Sequence, residues 1–274
     1  MNEIIRFSDI NFLYNENVSI IKDFNFEVET GDFLAILGPN GSGKSTLAKL
    51  VLGLEKVSSG DILVNDLSIK EKKNVREIRR KVGMILQNSD HQIINSIVEK
   101  DIAFAPENYG YSTEEINEMV DKALEITDLS HLRYKNVNEL SSGEKQKVAI
   151  AGVLAMKPDV VILDESTAML DQVSRINILE FLKKINKEFK TTIILITHNI
   201  DEIRYSNRCM ILKNGKVIVD CPPLEAVSDV EKLKDLRIEV PQAVELVYEL
   251  NKSGIEIPYK LHIEEVAEEL CKLF

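Results

Sequence analysis

The chain has 274 residues, of which 44% are hydrophobic and 29% are charged, and its formal net charge is −11. This composition is ordinary for a folded globular protein and unlike that of a disordered or collagen-like chain. The acidic balance disfavours a broad nucleic-acid surface, because binding to a phosphate backbone needs a basic face. The length predicts one main domain with a smaller appended region.

Three cysteines, Cys209, Cys221 and Cys271, are widely spaced and form no CxxC pair. They indicate neither a disulfide framework nor a zinc site, and a reducing compartment fits them best. The first residues do not resemble a secretion signal, and no stretch reaches the roughly 18 apolar residues that a membrane-spanning helix needs. If the protein works at a membrane, we therefore expect another chain to hold it there.

The N-terminal part predicts two strands, then a third strand, a loop and a helix. Apolar and polar residues alternate over 5–14 and 24–28, which is typical of antiparallel strands with one solvated face. Residues 33–37 are instead an unbroken apolar run, as expected for a strand that is buried on both faces. A glycine-rich loop follows, and apolar residues then recur at helical spacing from Leu47 to Leu54.

The glycine-rich loop reads Gly-Pro-Asn-Gly-Ser-Gly-Lys-Ser-Thr over residues 38–46. Gly38, Gly43, Lys44 and Ser45 match the pattern G-x-x-x-x-G-K-S/T in full. The glycines allow backbone N–H groups to surround phosphates, Lys44 can reach the terminal phosphates, and Ser45 can bind Mg²⁺. The sequence therefore predicts a nucleoside triphosphate site at a helix N-terminus, where the helix dipole favours anions.

Two later apolar runs, 160–163 and 192–196, predict buried strands that each end at polar residues. Asp164 and Glu165 follow the first strand, and His198 follows the second. Open parallel sheets bind their ligands at the carboxyl ends of their strands. We therefore expect Asp164 to reach Mg²⁺ through water, Glu165 to polarise the attacking water, and His198 to contact the terminal phosphate.

A helical insert is predicted between the phosphate loop and these acidic residues. One helix begins with the capping-box pair Ser112 and Glu115 and extends to Leu129. A later string, Leu-Ser-Ser-Gly-Glu, precedes a second helical pattern and places Ser141 and Gly143 at a helix N-terminus. Such an end can bind an anion. A phosphate loop and a second anion-binding helix end in one chain suggest that the two meet across a dimer interface.

The C-terminal part predicts a hairpin followed by helices. Two apolar runs flank an Asn-Gly turn within residues 209–219, and a Pro-Pro break and a strongly charged helical pattern follow. Pro241 suits the first turn of one of these helices. We therefore expect a nucleotide-binding domain over 1–221, with a helical subdomain at about 88–157, and a small helical region over 222–274.

Taken together, the motifs resemble those of the ATP-binding cassette (ABC) ATPases over residues 3–222. The resemblance implies an α/β fold, a P-loop NTPase of the ABC type. Its mixed sheet core carries an antiparallel β subdomain, an inserted helical subdomain and a small helical C-terminal region. It also implies ATP hydrolysis, with ATP and Mg²⁺ as cofactors.

The resemblance also implies a role for each motif residue. Asp164 corresponds to the Walker B aspartate, Glu165 to the catalytic glutamate and His198 to the switch histidine. Gln87 corresponds to the Q-loop glutamine, which serves catalysis and Mg²⁺ binding, and Asp171 to the D-loop aspartate at the dimer contact. The other implied contacts are Tyr14 on adenine, the Walker A positions Asn40, Gly41, Ser42 and Thr46, and the signature residues Ser141, Ser142, Gly143 and Glu144 on the partner's nucleotide.

The signature departs from the usual LSGGQ of the family at Ser142 and Glu144. Glu144 is a tolerable variant, but Ser142 adds a side chain where the backbone approaches the partner's nucleotide. We therefore expect altered ATP turnover at the nucleotide site that this signature completes. Ser166 stands where many members have proline, and we expect little effect from it.

A narrower resemblance covers residues 87–93, 98–108, 165–171 and the helical tail. It is to the ATPases of energy-coupling factor (ECF) importers of vitamins and metal ions; the alternative for residues 90–108 is a generic amphipathic connector. The resemblance implies a second ABC ATPase, identical or paralogous, and a tail that contributes to the dimer. It also implies a transmembrane T-type coupling subunit, a substrate-binding membrane subunit, no nucleic acid, and a peripheral position on the cytoplasmic face of the cell membrane.

Two other functions are weighed against the importer. A soluble ABC ATPase acting on DNA or the ribosome is disfavoured, because the chain has no long coiled coil and only one cassette. A nucleotide-binding regulator without catalysis is disfavoured by the presence of both Glu165 and His198. The cargo and the choice between a homodimer and a heterodimer stay open, although the irregular signature favours a heterodimer. The core motifs alone do not distinguish import from export.

Overall fold

The computed structural model describes residues 3–15 and 18–273. Within these residues, ten strands form one four-stranded and one six-stranded sheet. The strands are β1 (Glu3–Asn15), β2 (Val18–Glu29), β3 (Phe33–Leu37), β4 (Ser59–Val64), β5 (Leu67–Ser68), β6 (Val82–Ile85), β7 (Val160–Asp164), β8 (Thr192–Ile196), β9 (Arg208–Lys213) and β10 (Lys216–Cys221).

Ten α-helices lie in the same described ranges. One follows the glycine-rich loop, one lies between the fifth and sixth strands, three lie between the sixth and seventh, one lies between the seventh and eighth, and four follow the last strand. The helices are α1 (Lys44–Val51), α2 (Lys72–Lys81), α3 (Val98–Tyr109), α4 (Thr113–Ile126), α5 (Ser142–Ala155), α6 (Gln172–Phe189), α7 (Pro223–Ser228), α8 (Val230–Asp235), α9 (Gln242–Lys252) and α10 (Ile263–Cys271).

The smaller sheet is antiparallel, with the strand order β2-β1-β4-β5. Phe7 of β1 lies opposite Phe26 of β2 and Ile62 of β4, and all three side chains are buried. Polar residues alternate with them, because successive side chains of a strand point to opposite faces. The antiparallel strands with one solvated face, expected from the sequence, are therefore confirmed.

The larger sheet has the order β10-β9-β3-β8-β7-β6, and all its neighbouring strands are parallel except β9 and β10. All five residues of β3 and of β8 are buried, as their unbroken apolar sequences predict. The β9–β10 hairpin is also confirmed. Asn214 and Gly215 at its turn have φ angles of 50° and 71°, which a type I′ turn requires.

One hydrophobic core lies between the two sheets. It joins Phe24 and Ile62 of the antiparallel sheet to Leu50 of α1 and to Ile162 and Ile194 of the parallel strands. The intervening residues of β7 and β8 belong to a second cluster with α5 and α6. Both faces of the parallel strands are therefore covered, and only their ends are left for a ligand.

Helices α3, α4 and α5 have a core of their own, which includes Ile102, Leu124 and Val148. Ser112 and Glu115 form the capping box at the start of α4, so this prediction is confirmed. The insert lies between β6 and β7 in the chain, and it carries the Leu-Ser-Ser-Gly-Glu string at the start of α5.

The C-terminal helices belong to two clusters. Val227 of α7 and Leu233 of α8 are buried with Leu37 and Ile211 of the larger sheet. A smaller cluster around Val247 joins α9 to α10. The first half of the tail therefore packs on the main unit, and the domain boundaries drawn from the sequence stay predictions.

Local boundaries differ from the sequence pattern in three places. Helix α1 ends at Val51, and Gly53 turns the chain with a φ of 59°, so Leu54 lies beyond the helix and is exposed. Pro241 immediately precedes α9 instead of lying in its first turn. Helix α4 ends at Ile126 and not at the expected Leu129. Within the described ranges, no helix is long and apolar enough to span a membrane.

Candidate nucleotide site

The glycine-rich loop connects β3 to α1 in a conformation that depends on glycine. Gly38 has a φ of 150°, and a Cβ atom there would lie 2.0 Å from the carbonyl oxygen of Leu212. Gly43, at the start of α1, has a φ of 107°, in the left-handed region. Both positions therefore require glycine, one for close packing on β9 and one for the turn into the helix.

Lys44 is buried inside the loop, with 5% of its surface exposed. Its Nζ donates hydrogen bonds to the carbonyl oxygens of Gly38 at 2.7 Å and Pro39 at 3.1 Å. Burial lowers the pKa of Lys44, whereas the nearby carboxylates of Glu165 and Asp164 act in the opposite direction. The ammonium group is thus held where phosphate oxygens can take the place of the carbonyls.

The loop also has unused hydrogen-bonding capacity. Ser42 Oγ is buried and has no hydrogen-bond partner among the described residues. Within the same described ranges, no side chain caps the first turn of α1, and that turn holds no acidic residue. Orphan N–H groups and a hydroxyl at a helix N-terminus are the donors that an anion needs. The loop therefore fits a phosphate group.

Ser45 and Asp164 meet beside this loop, where the Ser45 hydroxyl donates a 2.7 Å hydrogen bond to Asp164 Oδ1. Burial raises the pKa of Asp164, and the Ser45 hydrogen bond opposes this shift. Two hard oxygen atoms suit Mg²⁺, which commonly takes its remaining ligands from water and substrate phosphates. The described residues contain no cluster of three or more acidic, His or Cys ligands. Gln87 lies in an exposed turn after β6.

Glu165 and His198 approach each other at the carboxyl ends of β7 and β8. His198 Nδ1 lies 3.8 Å from Glu165 Oε2, and the histidine side chain is 57% exposed. The Glu165 backbone N–H donates to the carbonyl of Ile196 at 2.9 Å, and Glu165 has a φ of 51°. A positive φ is uncommon for a residue with a side chain and recurs at functional sites. The strand ends therefore bring together the two residues predicted to act on the terminal phosphate.

Tyr14 lies beside the first turn of α1. Its hydroxyl is 3.4 Å from Thr46 Oγ1, its ring packs edge-to-face on Phe12, and 47% of the residue is exposed. An exposed aromatic ring that is fixed along one edge can stack on a base. Asn40 and Gly41 are exposed at the tip of the loop.

The signature residues form the N-terminus of α5. The Ser141 backbone N–H donates to Glu144 Oε2 at 2.8 Å, and the Glu144 backbone N–H donates to Ser141 Oγ at 3.3 Å. These bonds make a capping box and lower the pKa of Glu144, mainly through the Ser141 N–H. Ser142 is exposed, whereas Gly143 lies against α6, where an added Cβ would be 2.7 Å from Ser174 Oγ.

Asp171 caps α6 next to the signature helix. Its Oδ1 accepts hydrogen bonds from the backbone N–H groups of Val173 and Ser174, each at 3.0 Å. The Ser174 hydroxyl donates to Asp171 Oδ2 at 2.6 Å and is the main cause of the lowered pKa of Asp171. Asp171 therefore has a structural role as a cap beside any role at a dimer contact.

Three features of this region were not identified from the sequence. The capping box of Ser141 and Glu144 has the same S-x-x-E spacing as Ser112 and Glu115, so that signal was present in the sequence. Ser174 had no signal in the sequence, because its role depends on contact between two helices. Glu202, a buried carboxyl in the short turn Ile200–Tyr205 after His198, also had none, because the adjacent Asp201 is equally acidic.

Comparison with known proteins gives the family. The model for the family described as "ABC transporter" matches residues 21–168. The energy-coupling factor transporter ATP-binding protein EcfA1 of Caldanaerobacter subterraneus is 43% identical, over 98% of this chain and 99% of that protein. The protein of the same name from Clostridium perfringens is 42% identical, over 98% of each chain.

Solved structures agree with these relatives. The structure of cbiO1 from Clostridium perfringens, described as part of the ABC transporter complex cbiONQ, has a TM-score of 0.80 and 35% identity. It covers 90% of this chain and 100% of its own. A dimeric ATP-binding cassette, MJ0796, bound to ADP and Pi has a TM-score of 0.70 and 27% identity, over 80% of this chain and 98% of its own. The chain therefore belongs to the ABC transporter family as an ATP-binding, ATP-hydrolysing subunit, in the branch of the energy-coupling factor ATP-binding proteins.

Proposed function

We propose that this chain is one of two ATPase subunits that close around ATP and power an ECF-type importer. One observation carries the proposal. The chain has a phosphate loop around Lys44 and, on a separate unit, a preformed helix end with exposed Ser141 and Ser142. Each element is half of a nucleotide site, and a second subunit would supply the missing half.

In the proposed pair, each nucleotide lies between the Lys44 loop of one subunit and the Ser141 end of the other. The dimeric MJ0796 cassette supports this arrangement. Closure would bring N–H groups and hydroxyls of α5 to the phosphates of the partner's nucleotide, where the helix dipole favours negative charge. Asp171, at the end of the neighbouring loop, would then lie at the dimer contact.

Hydrolysis would use residues of one strand-end cluster. Lys44 and the loop N–H groups hold the phosphates, and Glu165 accepts a proton from water as the water oxygen bonds to the terminal phosphorus. The bond from that phosphorus to the leaving ADP oxygen breaks, and His198 donates to an oxygen of the transferred group. Ser45, Asp164 and Gln87 would hold Mg²⁺, which neutralises phosphate charge when bound.

A groove beside the Gln87 turn is the proposed contact for a membrane subunit. It has a volume of about 260 Å³, and Ile94 and Phe104 on its wall are exposed to solvent. The Gln92 side chain accepts from the backbone N–H of Leu86 at 3.0 Å and donates to the carbonyl of Met84 at 3.2 Å. A coupling helix in this groove would therefore touch the segment that holds the Gln87 turn.

The partners and place of action follow from the same proposal. They are a second ABC ATPase, a transmembrane T-type subunit and a substrate-binding membrane subunit, with this chain peripheral on the cytoplasmic face. The names of the ECF and cbiO1 relatives support an importer of vitamins or transition-metal ions. The sequence of this chain does not identify the transported substrate, because in such importers another subunit binds that substrate.

Affinity purification from gently solubilised membranes, followed by mass spectrometry, tests the proposal. The tagged wild type should recover a second cassette ATPase and a polytopic membrane protein. Ile94→Asp should lose the membrane protein and keep the second ATPase, because a charge replaces an exposed apolar side chain on the groove wall. Tyr134→Asp, at an exposed position outside the groove, is the matched control and should lose neither. Recovery with ribosomes or DNA from the soluble fraction would contradict the proposal.

A further inference from the structure

A buried carboxyl lies behind the candidate site, and the hydrolytic steps described above do not use it. Glu202 belongs to the short 3-10 turn Ile200–Tyr205, four residues after His198, and only 2% of it is exposed. Taking a carboxyl group away from water is costly unless hydrogen bonds or opposite charges compensate it. The contacts of the Glu202 side chain therefore indicate its role.

The first set of contacts is to the loop that follows Glu165. The Thr167 hydroxyl donates a 2.8 Å hydrogen bond to Glu202 Oε1, and Arg175 Nε lies 3.7 Å from the same oxygen. Arg175 also donates to the carbonyls of Thr167 at 3.3 Å and Leu170 at 3.2 Å. Glu202 and Arg175 together therefore hold the segment between Glu165 and Asp171.

Glu202 itself belongs to the loop that carries His198, and its backbone N–H donates to the carbonyl of Asn199 at 3.2 Å. Burial raises the pKa of Glu202, whereas the nearby hydroxyl groups of Thr197 and Thr167 act in the opposite direction. Thr197 Oγ1 in turn accepts from the backbone N–H of Asn199 at 3.0 Å. Among the described residues, Glu202 Oε2 has no hydrogen-bond partner. One carboxyl group, carried on the His198 loop, therefore binds the loop that follows Glu165.

We propose that Glu202 is a positioning residue that holds the Glu165–Asp171 loop and the His198 loop in a fixed relative placement. It contacts neither substrate nor metal, and it acts through its hydrogen bond with Thr167. The 3.8 Å approach of Glu165 to His198 depends on the two loops staying in place. A displacement of about 1 Å can cost about 100-fold in rate. The inference rests on the proposed hydrolytic roles of Glu165 and His198.

Substitutions that keep volume but change hydrogen bonding test this inference in the assembled complex. Glu202→Leu fills the space but accepts no hydrogen bond, and we expect kcat to fall about tenfold or more with KM for ATP within about twofold. Glu202→Gln keeps an acceptor and should restore most of the rate. Thr167→Val should lower kcat as well, and adding it to Glu202→Leu should cause little further loss, because both remove one interaction.

Thr127→Val is the matched control, since Thr127 is another buried threonine whose hydroxyl bonds to a carbonyl, that of Ala123 at 2.7 Å, in the helical insert. It should lower the melting temperature and leave kcat unchanged. If Glu202→Leu does not fold, Thr167→Val and Glu202→Gln carry the test. A wild-type kcat in folded Thr167→Val, or additive losses in the double variant, would overturn the inference. An active Glu165→Gln variant would instead overturn the proposed site itself.

Discussion

The Ser141 hydroxyl both caps a helix and, in the proposed dimer, contacts the partner's nucleotide. In the single chain its oxygen accepts from the Glu144 N–H, while the hydroxyl donates to Glu144 Oε2 at 2.7 Å. The helix end is therefore preformed before any partner arrives. Glu144 places a carboxylate where the family usually has a neutral glutamine, and either side chain can complete a capping box.

Ser112 and Ser141 make the same cap in two different places, and this pair separates stability from function. Ser112→Ala should lower the free energy of unfolding by about 1 kcal/mol and leave ATP turnover unchanged. Ser141→Ala should lose similar stability and also about 10-fold to 100-fold in turnover, because a hydrogen bond to a charged phosphate is lost. Urea unfolding and steady-state hydrolysis by the assembled complex measure the two effects. Equal turnover in both variants would contradict the role of Ser141 at the partner's nucleotide.

Among single residues, the sequence predicts those whose role follows from their spacing within a short motif. The phosphate-loop residues from Gly38 to Ser45 are contiguous, and their pattern carries the function by itself. Glu202 and Thr167 are 35 positions apart, and their contact exists only once β7 and β8 are paired. A single sequence has no periodic signal for such a contact, which is why the carboxyl behind the site could not be predicted.

Helices α3 and α4 are joined by one arginine at the edge of the insert. Arg133 Nε donates to Glu99 Oε1 at 2.9 Å, and its Nη1 donates to Asp121. Its carbonyl also accepts from the backbone N–H of Glu99 at 2.9 Å, in the first turn of α3. Both carboxylates raise the pKa of Arg133, the Glu99 hydrogen bond most of all. The insert therefore uses one side chain to fix two helices.

Arg133→Ala should destabilise the protein by about 1 kcal/mol, because the ion pairs are partly exposed and water screens them. Arg133→Lys should recover only part of this loss, since an ammonium group lacks the planar fork that reaches two carboxylates. Urea midpoints at low and high salt measure the effect, and the difference from wild type should shrink at high salt. Lys184→Ala, at the exposed and longer 4.0 Å pair with Glu188, is the control. An equally large loss of stability in Lys184→Ala would contradict the stabilising role of Arg133.

Among the elements, periodicity predicts the buried strands and the capped helix α4, because each is specified by its own residues. It does not predict where α1 ends, since Gly53 in a left-handed conformation and packing beyond it decide that point. Helix α3 is less clear from sequence because its buried face, with Val98 and Ile102, is completed by α4 and α5. Tertiary contact therefore determines the elements that sequence alone left open.

Across the whole molecule, the carboxyl ends of β3, β7 and β8 gather Lys44, Asp164, Glu165 and His198 around one place. The signature residues are instead held on the helical insert, with a separate core. The fold thus supplies a glycine-rich loop that fits a phosphate group and, on a separate unit, the helix end that we propose binds the partner's nucleotide. The central claim is that ATP joins these two halves between two subunits.

Sedimentation of Glu165→Gln with ATP and Mg²⁺ tests that claim most directly. The variant is measured alone and mixed with the second cassette ATPase that co-purifies with the wild type. We expect ATP binding, turnover reduced about 100-fold or more, and an ATP-dependent pair in at least one mixture, because bound ATP persists when no carboxylate accepts the proton from water. Adding Lys44→Ala should abolish the pair. Nucleotide binding without association in either mixture, or turnover near that of the wild type, would contradict the account.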